Sequence, residues 1–190
     1  MTVDEEIVGI QLKLNAIRDQ AKKSGATPPP TILKEMVEMK EKIDYLKKQN
    51  KMSSLPLSLI EAYNLTNYYV LATQKFTLKV GQKSEDLIAL YKKLGVNTAT
   101  FITAFNPYSQ ALNFEENKRR NEVLKIELED IAWAVVEGYG QDPEGLWEKE
   151  DSFLAFGITK EEAIKLGNKY EQNAILWCDA DFTPQLILLK

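Results

Sequence analysis

"FITAFNPYSQALNFEENKRRN", residues 101–121, holds the transition on which the fold turns. An apolar run ends, a turn crowded with Asn, Ser and Gln follows around one proline, and a charged, periodic segment begins. Extended backward the run reads "TATFITAF", the best buried strand in the chain, since β-branched and aromatic residues dominate it. Forward, Asn113 with Glu116 three residues on makes a capping-box-like start to a helix running to about Ile131. Strand, turn and amphipathic helix in this order predict a helix packed on a sheet.

Outward from this unit the same signals recur. "SEDLIALYKKLG" is a helix with Ser84 as N-cap, acids in its first turn and Gly95 as its stop. Before it, "LSLIEAYNL" reads as a short helix, and "NYYVLA" and "FTLKV" are β-like. After it, "WAVVEGYG" and "SFLAFGI" are strands flanking a Gly/Pro loop. Thr159 with Glu162 opens a third helix ending near Tyr170, and "AILWCDADF" and "PQLILLK" close the chain as a hairpin. The order, β(β)αβαββαββ, predicts an α+β fold of helices against a mixed sheet.

Residues 4–50 follow another rhythm. Ile7, Ile10, Leu14, Ile17 and Ala21 alternate steps of three and four, as do Ile32, Met36, Met39, Ile43 and Leu46 after "SGATPPP". This predicts an antiparallel helical hairpin broken at Gly25 and Pro28–Pro30. Lys34–Glu38, Glu38–Lys42 and Asp44–Lys48 are spaced to pair on its solvated face. Val8, Leu12, Leu33 and Val37 lie beside the stripe and need another surface: the rest of the chain, a second copy, or a different protein. The expected organisation is a hairpin over 1–50 for homodimerisation or docking, a Ser/Pro-containing junction over 51–58, and an α+β domain over 59–190.

Composition excludes several functions. Net charge is −4, with ten basic and eight acidic residues in 1–52 and 14 against 20 in the remainder. Neither part resembles a polybasic arm, so general nucleic-acid binding is not expected. No apolar stretch approaches a membrane span, and the acidic N-terminus lacks a signal-peptide core. Cys178 is the only cysteine, which fits a reducing cytoplasm. There are no histidines, which removes Ser-His-Asp and Cys-His machinery, the usual zinc sites and the commonest acid–base residue. Any catalysis falls to Asp/Glu, Lys, Tyr, Ser or a hard metal ion.

Two segments are candidates for chemistry. On the helix from Asn113, Leu124, Leu128 and Ile131 define an inward face that continues back through Asn121 or Arg120 to Asn117. That face turns polar beside "NPYSQ", which predicts a polar cavity at the end of the "TFITAF" strand, where Asn106, Asn117 and Arg120 converge. Arg119 and Arg120 are two of only three arginines among 24 basic residues, and the guanidinium fork suits carboxylate or phosphate. The pairs Glu115–Arg119 and Glu116–Arg120 fit simple helix decoration equally well, and Asn106-Pro107 fits a plain turn. The second segment is 135–153, where Glu137, Asp142, Glu144, Glu148 and Glu150 accompany three glycines and Trp147. It reads either as a lid carrying an acid, base or magnesium site, or as a solvated hairpin loop. "GYGQDPEG" is neither a P-loop nor a dinucleotide fingerprint. Asp179 and Asp181 in "CDAD" share a strand face as metal ligands do, or mark a hairpin edge; no metal or cofactor is assigned.

Four words in order, "AYNLTNYYV", "FITAFNPYSQ" with "EENKRRN", "EGYGQDPEGLWEKEDSFLAFGI" and "LGNKYEQNAILW", give a resemblance to a bacterial family named only as domain of unknown function 3293. It runs from about residue 59 to the C-terminus and leaves the hairpin outside. The family's pattern falls on Asn106, Pro107, Ser109, Glu116, Asn117, Arg120, Asn121, Glu137, Gly138, Asp142, Glu150, Ser152, Gln172 and Asn173. The resemblance implies one unit joining both candidate segments, and no reaction.

The resulting expectation is a cytoplasmic α+β domain binding a small anionic ligand through Asn106, Ser109, Asn117, Arg120, Asn121, Asp142 and Ser152. The alternatives are a hydrolase or transferase, with Glu137 or Glu150 as catalytic base and Arg120 as stabiliser, and a non-catalytic inhibitor, immunity or assembly factor. In either the binding or the enzyme reading the 137–152 loop folds over "NPYSQ" and brings Glu137 or Glu150 towards Arg120, whose charge needs a partner on an inward face.

Overall fold

A computed structural model describes residues 3–25, 27–49, 55–143 and 148–190. The chain divides into two compact units, 1–54 and 55–190. Among the described residues no helix is long and apolar enough to cross a membrane.

The first unit is a pair of helices, α1 (Val3–Ser24) and α2 (Pro30–Gln49). Gly25 leaves α1 at a φ of 63°, a conformation that suits a residue without Cβ, and proline opens α2 where its missing N–H costs nothing. Ile7, Leu14 and Ile43 form its core, with Ile10, Met36 and Met39 packed against them. Lys34 lies 3.9 Å from Glu38, whereas Lys42 turns away from Glu38 and reaches Glu6 on the other helix. The side chains of Leu12, Leu46 and Lys48 lie outside the described residues.

The second unit opens with α3 (Leu57–Leu65), followed by strands β1 (Asn67–Val70) and β2 (Phe76–Leu78) and helix α4 (Glu85–Leu94). Then come β3 (Ala99–Ile102), a single 3-10 turn at Pro107–Ser109, α5 (Phe114–Ile131), β4 (Ala134–Gln141), β5 (Glu150–Phe156), α6 (Lys160–Lys169), β6 (Ala174–Cys178) and β7 (Pro184–Leu188). The helix ends follow local chemistry. Ser84 and Asn113 accept hydrogen bonds from the backbones of Leu87 and Glu116, and Thr159 and Glu162 form a reciprocal capping box. Gly95 ends α4 in the left-handed conformation.

The seven strands form one sheet in the order β2-β1-β4-β5-β3-β6-β7. The α+β class is as expected, but the sheet is antiparallel at every pairing rather than mixed. The crossovers explain this: α5 joins β3 to β4 with β5 between them, and α6 joins β5 to β6 with β3 between them. Strands running the same way are therefore never neighbours.

Central strand β5 is buried on both sides, and the period-two alternation of side chains divides it between two cores. Leu154 and Phe156 join Phe101, Tyr91 and Leu176 on one face, under α4. Phe153 and Ala155 join Ile102, Leu124, Leu128 and Leu166 on the other, under α5 and α6. Burying a Leu or Phe side chain contributes about 1.5–3 kcal/mol, so these two layers dominate the stability of the unit. Ile131, expected on the inward face, is 44% exposed. It is the last residue of α5, and Ala132 takes up the packing at that end.

Candidate functional site

Between β3 and α5 the backbone enters a region that L-residues seldom occupy. Asn106, Tyr108 and Ser109 have φ values of 46°, 52° and 58°. Each such residue costs on the order of 1–3 kcal/mol and persists only where its surroundings over-determine it. Asn106 is fixed from both sides. Its backbone N–H donates to Asn117 Oδ1 at 2.8 Å, and its own Oδ1 accepts from Asn117 Nδ2 at 2.8 Å and from the Leu112 N–H at 3.0 Å. The Tyr108 N–H donates to the Glu171 carbonyl at 2.7 Å, and Glu171 is itself left-handed, with a φ of 59°.

The polar stretch of the inward face of α5 does a related job one turn later. Asn121 Oδ1 accepts from the Ala104 N–H at 2.8 Å, and its Nδ2 donates to the Asp151 carbonyl at 2.7 Å. Arg120 Nε donates to the Ala104 carbonyl and Nη2 to the Tyr170 carbonyl, both at 2.9 Å, with Glu171 Oε2 3.6 Å away. Past the end of a strand and at the cap of α6, such carbonyls have no ladder or helix partner, and a planar guanidinium satisfies two of them at once. The expected convergence of Asn106, Asn117 and Arg120 on one cavity therefore holds for the two asparagines alone. Arg120 does not line the cavity; it ties β3 to the end of α6.

The cavity has a volume of about 560 Å³. Leu59, Ala62, Tyr63 and Thr66, spaced as one face of α3, wall one side. Tyr68, Phe101, Leu176 and Leu186 supply an apolar floor, and Asn106, Ser109, Asn117, Glu150, Ser152 and Gln172 a polar end. Gly138 permits the floor: a Cβ there would stand 2.4 Å from the Tyr69 carbonyl oxygen and 2.9 Å from the Phe101 ring. Without it, Phe101 lies across the strand and meets Tyr68 edge-on at 5.4 Å. At the polar end, the Tyr63 and Ser109 hydroxyls share a hydrogen bond of 2.9 Å, and Asn173 Nδ2 donates to Ser109 Oγ at 2.9 Å.

Glu150 is the half-buried acid of this cavity. Burial pushes its carboxyl above the ordinary range, and the Asn106 amide, which donates to Oε1 at 2.6 Å, offsets that only in part. It meets Asn106 rather than Arg120. Glu137 does neither: it is exposed on the far side of β4, paired with Lys125 at 2.8 Å. The end of the second candidate segment thus lies against the turn through Glu148, Lys149 and Glu150, while Glu144, Gly145 and Trp147 fall outside the described residues.

Of the other sequence candidates, Ser109, Asn117 and Ser152 line the cavity. Asn121 and Asp142 are buried but do not. Arg119 is on the exposed face of α5, among Glu115, Glu116, Lys118 and Glu122. Asp179 and Asp181 accept hydrogen bonds from the Ala180 and Thr183 N–H groups and so shape the β6–β7 turn. Sequence reasoning missed Tyr63 and the rest of the α3 wall. The signal was present, since Leu59, Ala62, Tyr63 and Thr66 recur at steps of three and one and then three.

Residues 102–175 match the model of a family described as protein of unknown function (DUF3293), the family the sequence resembles. The match takes in the strained turn, α5, β4, β5 and α6, and so the polar end of the cavity, but not its α3 wall. No curated protein and no solved structure matches the chain.

Proposed function

We propose that residues 55–190 form a binding domain for a small, largely apolar molecule held in the cavity beside α3. The cavity itself carries this reading. Protein interiors are close-packed, with few voids larger than a water molecule, and about 560 Å³ is the scale of small-molecule sites. An apolar floor with a few polar groups gathered at one end also matches how such sites fix an orientation. An anionic ligand loses its main support, because Arg120 is spent on two carbonyls and Lys149, the cation on the lining, is paired with Asp151 at 3.3 Å.

Thermal-shift screening of full-length protein against uncharged, cationic and anionic metabolites tests the reading. A hit should raise the melting temperature, and Ala62→Trp, which fills the cavity from α3, should abolish that rise. A rise that persists in A62W places binding elsewhere and ends the proposal.

A second reading, acid–base catalysis, is supported by Glu150 alone: it is a carboxyl on the cavity wall, raised above its ordinary range by burial, as acid–base groups commonly are. For the first unit we propose self-association or docking, supported by the exposed Val8, Leu33 and Val37 beside its core stripe.

A further inference from the structure

The binding reading above can be deepened by asking which hydrogen-bonding capacity the cavity leaves unused. Asn106 and Asn117 are committed to each other, to the Leu112 backbone and to Glu150. Ser152 Oγ donates to the Glu150 carbonyl at 2.9 Å, and Thr66 Oγ1 to the Ala62 carbonyl at 2.8 Å. Gln172 Nε2 donates to the Phe105 and Tyr170 carbonyls at 3.0 and 3.2 Å. Two oxygens remain. Glu150 Oε2 and Gln172 Oε1 have no partner among the described residues, both residues line the cavity, and no buried side-chain nitrogen or oxygen there goes unpaired. Both oxygens therefore keep accessible surface, on residues that line the cavity. Against them stand two spare neutral donors, the second hydroxyl proton of the Tyr63–Ser109 pair and the second Nδ2 proton of Asn106, and neither carries the charge that would match Glu150.

We infer that the cavity selects a ligand whose head donates hydrogen bonds, namely a primary ammonium on an alkyl or aryl body. The ammonium offers three N–H donors and no acceptor, which complements two open acceptors. Its charge matches Glu150, the half-buried acid on the lining, and its apolar body covers Phe101, Leu176 and Leu186. A carboxylate of the same length would set acceptor against acceptor and bring a second negative charge to Glu150.

Three probes of equal length, hexylamine, hexan-1-ol and hexanoate, separate these cases when titrated into the full-length chain and followed by amide chemical shifts. Hexylamine should bind about tenfold more tightly than hexanol and more than that over hexanoate, the discrimination that a charge-assisted hydrogen bond gives. Shifts should centre on Gly140, Ser152 and Gln172. Glu150→Gln presents an amide donor in place of the acceptor and should erase the amine preference while leaving hexanol within about twofold. If E150Q does not fold, Glu150→Asp, which withdraws the carboxyl by one methylene, should weaken hexylamine alone. Hexanoate binding at least as well as hexylamine, or an amine preference that survives in a folded Glu150 variant, overturns the inference and leaves the binding domain standing. Failure of all three probes to perturb the cavity residues overturns both.

Discussion

Glu150 and Arg120 are two of the charged side chains near the junction of β3, β5 and α6, and each carries a separate consequence. Because burial raises the Glu150 carboxyl, the folded chain holds that proton to higher pH than the unfolded chain does. A proton held more tightly by the folded state stabilises it at low pH, and the contribution is lost as pH rises from the ordinary carboxylate range through the raised value. Glu127, lowered by Lys169, and Glu162, lowered by the Thr159 backbone, work in the opposite sense and lose their contribution as pH falls. Subtracting the wild-type melting temperature from that of E150Q isolates the first effect, and the difference should grow with pH across that window. A difference that stays flat removes the buried proton. For Arg120→Lys, a single ammonium cannot bridge the Ala104 and Tyr170 carbonyls with the same geometry, and a loss of about 1.5–3 kcal/mol is expected in urea denaturation. Gly138→Ala should cost a comparable 1–3 kcal/mol or so, since its methyl meets the Tyr69 backbone carbonyl as well as the Phe101 ring, and the backbone cannot yield.

At the scale of elements, what the sequence made legible was what depends on neighbours in the chain. Ser84, Gly95, Asn113 and Thr159 each end a helix where their local chemistry says they should. The inward face of α5 was legible too, as a stripe that turns from leucine to asparagine. The partners were not. Arg120 is satisfied by a carbonyl fifty residues away and Asn106 by a carboxyl forty-four away, and no periodicity encodes such pairs. Strand order was hidden for the same reason, since either crossover is compatible with parallel neighbours until another strand is inserted. The capping box tests the local part: Thr159→Ala should cost about 1 kcal/mol. The loss should appear as faster hydrogen exchange confined to the first turn of α6.

For the whole molecule, the two units make different demands on solution behaviour. Two helices bury only a narrow stripe, and Val37 at 53% exposed and Leu33 at 41% sit beside it. Light scattering of the full chain against residues 55–190 should give a larger oligomer for the former. Equal masses and equal stabilities would deprive the hairpin of an associating role.

The placing of β3 between β5 and β6 has one more consequence, and it concerns time. Both ladder partners of Phe101, Leu154 and Leu176, are made later than it is. During synthesis β3 emerges as an apolar segment with nothing to pair with until α5 and the β4–β5 hairpin have followed, and its second partner, β6, waits for α6 as well. Long-range pairing of this kind slows folding and prolongs exposure to aggregation. What β3 can acquire early is α5, whose Asn117 and Asn121 bind the backbone of Asn106 and Ala104 across a short loop. In pulse-labelled refolding, the Ala104 and Asn106 amides should gain protection before Phe101, so that the asparagines serve as a holding clamp on a strand whose sheet has yet to arrive.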